Sequence, residues 1–160
     1  MEYNVDSGRK PKVPGEEQKE EEKVELEKTA KDKDKADALR EAGNNLFRTQ
    51  KYEKAIVTYT EAFSFNHTDT AILTNRAAAN IKLKRYRVAL EDAALAKSID
   101  PKWLKTYYRE GEAYGLLKEF GEAAASYWEG IRIDPSNEDL KKRMKEAMAK
   151  GKKQHKKLKL

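Results

Sequence analysis

Five polar side chains stand at spacings that could grip a carboxylate-rich ligand: Arg40, Asn44, Asn75, Lys105 and Arg109. Counted from Ala36, Thr70 and Leu104, three starts 34 residues apart, Arg40 and Asn44 take positions 5 and 9. Asn75 takes position 6, and Lys105 and Arg109 take positions 2 and 6. Offsets of zero, three, four and seven define one face of a helix with 3.6 residues per turn. Guanidinium and ammonium groups pair with carboxylates through charge-assisted hydrogen bonds, about twice as strong as neutral ones. Asparagine can bond both the N–H and the C=O of an extended peptide. A free C-terminus ending in aspartate would offer such a face two carboxylates in one residue, and capture of a terminal carboxylate is a known mode of peptide recognition.

Catalytic chemistry finds no comparable set. Cysteine is absent, and His67 and His155 stand too far apart for a usual metal site. No nucleophile elbow, phosphate-binding glycine loop or zinc-ligand spacing occurs. The expectation is therefore a binding module that is not an enzyme, with no metal and no cofactor. Asn66-His67-Thr68 has the form of a glycosylation acceptor but reads as a turn. Trp103, Tyr107, Tyr108 and Trp128 read as core.

The elements that must carry the five residues follow from an internal repeat. Residues 36–69, 70–103 and 104–137 align without a gap. Gly43, Ala77 and Gly111 form one column of small residues; Ala55, Ala89 and Ala123 form a second, and Ala62, Ala96 and Gly130 a third. Small side chains allow helices to approach closely, and the aromatic column Tyr52, Tyr86 and Phe120 fills the gap beside each turn. The spacing predicts helices over 36–49, 53–66, 70–83, 87–99, 102–117, 121–133 and 136–153. Asp100-Pro101 and Asp134-Pro135 read as an N-cap followed by proline at the first helical position; Thr68 and Asp69 are candidate caps in the first repeat. Each unit is amphipathic and buries its apolar face only by stacking on the next, so the last unit needs a polar cap. Leu140, Met144, Ala147 and Met148 give the final helix its buried face. The expected fold is all-α, a right-handed superhelical solenoid of three helix-turn-helix units plus a C-terminal capping helix.

Charge divides the chain further. Apolar residues make up 38% and charged residues 39%, so a core is affordable but the surface is crowded with charge. Residues 1–34 carry 8 basic and 11 acidic side chains, whereas residues 141–160 carry 10 basic ones and a single acid, Glu146. The net +6 therefore belongs to the tail. Residues 1–34 are expected to be a mostly disordered leader, 35–135 the repeats, and 136–160 the capping helix with its basic tail. The acidic run Glu16–Glu27 could pair with that tail or visit the cationic groove. No apolar run suits a membrane span or a secretory signal, which places the expected location in the cytoplasm, with the nucleus as a second site. A monomer is expected.

The 34-residue period and the stretches REAGN (40–44), TNRAAAN (74–80) and KTYYREGEAY (105–114) resemble the tetratricopeptide-repeat (TPR) family, specifically its carboxylate-clamp co-chaperones, across about residues 36–153. That resemblance implies a concave groove that binds the Glu-Glu-Val-Asp tails of the seventy- and ninety-kilodalton heat-shock chaperones. The clamp pattern is Lys-x-x-x-Asn, then Asn, then Lys-x-x-x-Arg. Asn44, Asn75, Lys105 and Arg109 match it, and Arg40 replaces the first lysine with a longer, forked donor. By the same resemblance Phe47, Ala78 and Lys82 flank the pocket, and Glu112 adds a local repulsion. The last third is also similar to TPR segments attached to ankyrin-repeat proteins, although no ankyrin repeat is present. The alternative reading is a TPR scaffold for a different protein, its basic tail contacting nucleic acid or an anionic membrane.

Overall fold

Residues 14–159 are described by a computed structural model. Seven α-helices follow one another in these residues: α1 (Pro14–Arg48), α2 (Tyr52–Phe65), α3 (Thr70–Lys82), α4 (Tyr86–Ile99), α5 (Leu104–Leu116), α6 (Phe120–Ile133) and α7 (Glu138–Leu158). Each packs on the next, and α1 also touches α3 as α3 touches α5. The odd-numbered helices thus form one wall of a solenoid and the even-numbered ones the other.

The small-residue columns lie where the helices meet. Ala55, Ala62, Ala77, Ala96 and Ala123 are fully buried. A Cβ built on Gly43 would stand 2.5 Å from the Tyr59 ring, and one on Gly111 would stand 2.3 Å from Tyr127. Glycine therefore makes room for a tyrosine sixteen residues later in the first and third repeats. The middle repeat uses Ala77 and Ala93 at the equivalent positions, both fully buried. The core is distributed along the stack: Ala36, Tyr59 and Ile72 in the first cluster, Ala77, Ala89 and Ala113 in the second, Tyr127, Ile131 and Leu140 in the third.

The turn inside each repeat has one design. Gln50, Lys84 and Lys118 all have φ of 61°, the left-handed region, at the 34-residue period. The residue after each donates its backbone N–H five residues back, Lys51 to Leu46 at 2.8 Å, Arg85 to Asn80 at 2.8 Å and Glu119 to Tyr114 at 2.9 Å. This is a Schellman ending, which glycine would adopt without a Cβ penalty. Lys84→Gly is therefore expected to stabilise the fold by about 0.5–1 kcal/mol, the relief of left-handed strain less the added freedom of the unfolded chain. A urea midpoint that falls instead of rising would contradict it.

Several expectations need correction. The leader is not mostly disordered within the described residues: α1 begins at Pro14, 22 residues before the expected start. Residues 15–31 are exposed; this stretch is rich in Glu and Lys, contains no proline or glycine after Gly15, and carries opposite charges three or four residues apart, all of which favour helix. The docked segment from Ala36 onward supplies the nucleus from which that helix propagates. The expectation for the first dozen residues lies outside the described residues. Asp100 and Asp134 are not N-caps but follow the last turns of α4 and α6. They accept from Lys102 N–H at 3.0 Å and Ser136 N–H at 3.2 Å, so each Asp-Pro shapes a turn. The caps are Asp69, which accepts from Ala71 N–H, and Asn137, which accepts from Leu140 N–H. Trp128 and Met148 are about half exposed, so neither belongs to the core.

Candidate functional site

A groove of about 250 Å³ opens where α1, α3 and α5 meet, lined by Asn44, Phe47, Arg48, Tyr59, Asn75, Ala78, Lys105 and Arg109. Ala78 and Phe47 supply its apolar part, and the rest is amide, phenol and cation. No carboxylate is among its lining residues. Of the five polar residues singled out in the sequence, Asn44, Asn75, Lys105 and Arg109 line this groove, together with Phe47 and Ala78.

A hydrogen-bond network fixes the two amides. Tyr59 donates its hydroxyl to Asn44 Oδ1 at 2.7 Å, and Asn75 Nδ2 donates to the same oxygen at 2.9 Å. With the acceptor of Asn44 engaged twice, its amino group is the end left to donate, and its one other partner is Glu41 at 3.5 Å. Burial pushes the Tyr59 phenol up to about 12, so it remains a donor throughout the neutral range. The close approach at Gly43 is what admits the Tyr59 ring.

On α5, Lys105 is exposed and has no ion-pair partner among the described residues. Arg109 is half-buried; its Nη1 donates to Glu112 at 3.2 Å and its buried Nε has no partner. Glu112 is thus a competitor for one arm of Arg109. The groove continues towards α7 through a second depression lined by Lys105, Tyr108, Arg109, Glu112 and Arg143. There Arg143 donates to Asp139 at 2.8 Å and lies 5.4 Å from the centre of the Tyr108 ring.

Two expected residues are elsewhere. Arg40 is absent from the lining: its Nη1 bonds Asp69 at 2.5 Å and its Nη2 lies 3.3 Å from Asp37. Lys82 is exposed at the end of α3, also outside the lining. Two residues that line the groove were missed, Tyr59 and Arg48. Tyr59 had a signal, since tyrosine at 59 and 127 occurs with glycine at 43 and 111. Arg48 had a weaker one, standing four residues after Asn44 and hence on its face.

No family model matches the chain. It is 39% identical to an Hsp70-Hsp90 organizing protein of Triticum aestivum over 105 residues, 66% of this chain and 18% of that protein. The chain spans about a fifth of the length of this relative and of two Arabidopsis thaliana organizing proteins. Among solved structures, the first TPR of Spaghetti (RPAP3) bound to HSP90 peptide SRMEEVD is 31% identical, with a TM-score of 0.69 over 72% of this chain and 92% of that one. The Sgt2 TPR domain of Aspergillus fumigatus is 30% identical, with a TM-score of 0.72 over 76% and 82% of the two chains. Three stacked helix pairs, their shared turn at a 34-residue period and these likenesses agree: the chain belongs to the tetratricopeptide-repeat family.

Proposed function

We propose that the groove of α1, α3 and α5 binds the acidic C-terminal tail of a heat-shock chaperone of the Hsp70 or Hsp90 class, making the protein a non-catalytic co-chaperone adaptor. The observation that carries this reading is the groove lining itself, with three cations, two amides and no carboxylate. A likeness to a TPR domain solved with SRMEEVD supports it.

The terminal carboxylate takes donors from Asn44, Asn75 and Lys105, and Arg109 pairs with an acidic side chain of the same tail. Phe47 and Ala78 receive an apolar side chain between the acids. Asn44 and Asn75 are already held by Tyr59 and by each other, so binding orders few new groups; such preorganisation favours affinity. Lys105 has no ion-pair partner among the described residues to surrender, and its attraction acts at full strength only while salt is low.

Because these charges meet in a partly open groove, affinity should be micromolar and should fall with ionic strength. Fluorescence titration of a labelled Met-Glu-Glu-Val-Asp peptide is expected to show about fivefold to tenfold weaker binding at 0.5 M than at 0.05 M salt, as the Debye length shrinks from over 10 Å to under 5 Å. Affinity that does not change across this range would contradict charge pairing as its source.

A further inference from the structure

We infer that the ligand-facing cation of α1 is Arg48, and that Arg40 is a structural tie; this rests on the groove binding an acidic tail as proposed above. Arg40 is committed on two sides, with Asp69 at 2.5 Å and Asp37 at 3.3 Å. Asp69 is 12% exposed, and its other oxygen caps α3 by accepting from Ala71 N–H at 2.9 Å. Diverting Arg40 to a ligand would leave that half-buried carboxylate without its cation. Arg40 therefore ties the first repeat to the first turn of the second.

Arg48 is placed differently. It stands one helical turn beyond Asn44 and lines the groove that Arg40 does not. Its partners are Asn45 and, at 2.9 Å, Glu41. Arg48 and Glu41 are 62% and 63% exposed, so their pair is screened by solvent and little is lost when it opens. A carboxylate arriving in the groove takes the guanidinium, and Glu41 returns to water. Lys105 and Arg109 lie on α5 and Arg48 on α1, so the cations that line the groove come from two different helices. The ligand class this selects is a peptide with an acidic side chain near its free C-terminus, in addition to the terminal carboxylate itself.

The test is calorimetric titration of the full chain and four variants with the free-acid Met-Glu-Glu-Val-Asp peptide. Arg48→Ala is expected to bind about tenfold more weakly, the scale of one charge-assisted hydrogen bond in a partly open site. Arg40→Ala should keep its affinity within about twofold while melting at a lower temperature, since the lost partner of Asp69 is a stability matter. Glu41→Gln removes the competitor for Arg48 and should tighten binding about twofold to threefold, a gain that unfolding cannot imitate. Lys105→Ala serves as the control for the groove. Loss of binding in Lys105→Ala, with Arg48→Ala unchanged or Glu41→Gln no tighter, overturns the role of Arg48 and leaves the groove assignment standing. A parent chain that does not bind overturns both.

Discussion

Arg76→Met is expected to destabilise the protein by about 3 kcal/mol, the cost of stranding a buried charge. Arg76 Nε donates to both oxygens of Asp92, at 3.0 and 3.2 Å, and Nη2 adds a bond of 2.6 Å. Asp92 is only 5% exposed. A further bond of 3.2 Å from Nη1 to Thr60 Oγ1 extends the contact to α2, so one side chain joins α2, α3 and α4. Burial pushes the Asp92 carboxyl above its ordinary range even though Arg76 pulls it down. Without Arg76 only the weaker pull of the Asn80 side chain opposes that push. A carboxyl held above its unfolded-state value in the native protein contributes stability at low pH, where it is protonated in both states, and loses it as pH rises through the folded value. The variant should therefore be weakest at neutral pH and recover part of the loss at mildly acid pH. Thermal melts at the two conditions, beside the parent chain, read this directly. A loss independent of pH would mean that the packing of the arginine stem, rather than the stranded carboxylate, carries the effect.

The second large effect is on binding. Lys105→Ala with Arg109→Ala is expected to weaken binding of the acidic-tail peptide by about 100-fold or more, since losing a hydrogen bond to a charged group costs about 1.5 kcal/mol or more at each position. The two residues differ in what else they do. Lys105 is exposed and has no ion-pair partner among the described residues, so Lys105→Ala should leave the melting temperature within about 2 °C of the parent, as substitutions of exposed residues normally do. Arg109 is half-buried and bonded to Glu112; its removal frees Glu112 in the adjoining depression, from where a carboxylate repels an acidic ligand. The Arg109→Ala loss should thus exceed that of Lys105→Ala, and Glu112→Gln in the same background should return part of it. Equal losses without rescue by Glu112→Gln would show that Glu112 has no influence on the ligand.

What is legible in the chain follows from what a repeat can encode. Gly43, Ala77 and Gly111 report a close helix contact three times over, and contact of that kind depends on residue size alone, so the solenoid was legible. Asn44, Asn75, Lys105 and Arg109 were legible as one face because a helical offset fixes direction. Partners were not. Arg40 has the right position and charge for the groove, but Asp69, 29 residues on, holds it, and nothing local to Arg40 announces that pairing. The Glu- and Lys-rich stretch from Glu16 has no apolar stripe, and without one a solvated helix and a disordered segment share the same composition. Asp-Pro shapes a turn as readily as it begins a helix, which displaced the starts of α5 and α7 by two residues. Trp128 sits one residue from the buried Tyr127, and a one-residue step on a helix is enough to move a side chain from core to surface.

The proposed function requires above all that the groove recognise a free C-terminal carboxylate. Calorimetric titration with Met-Glu-Glu-Val-Asp as the free acid and as the C-terminal amide tests it most directly, because amidation replaces one terminal oxygen by an amino group, removing the terminal charge and one acceptor while leaving every side chain in place. Asn44, Asn75 and Lys105 would lose their shared acceptor, so the free acid should bind with micromolar affinity and the amide at least about 30-fold more weakly. Equal binding of the two peptides would contradict terminal-carboxylate recognition, and binding by neither would remove the acidic tail as the ligand of this groove.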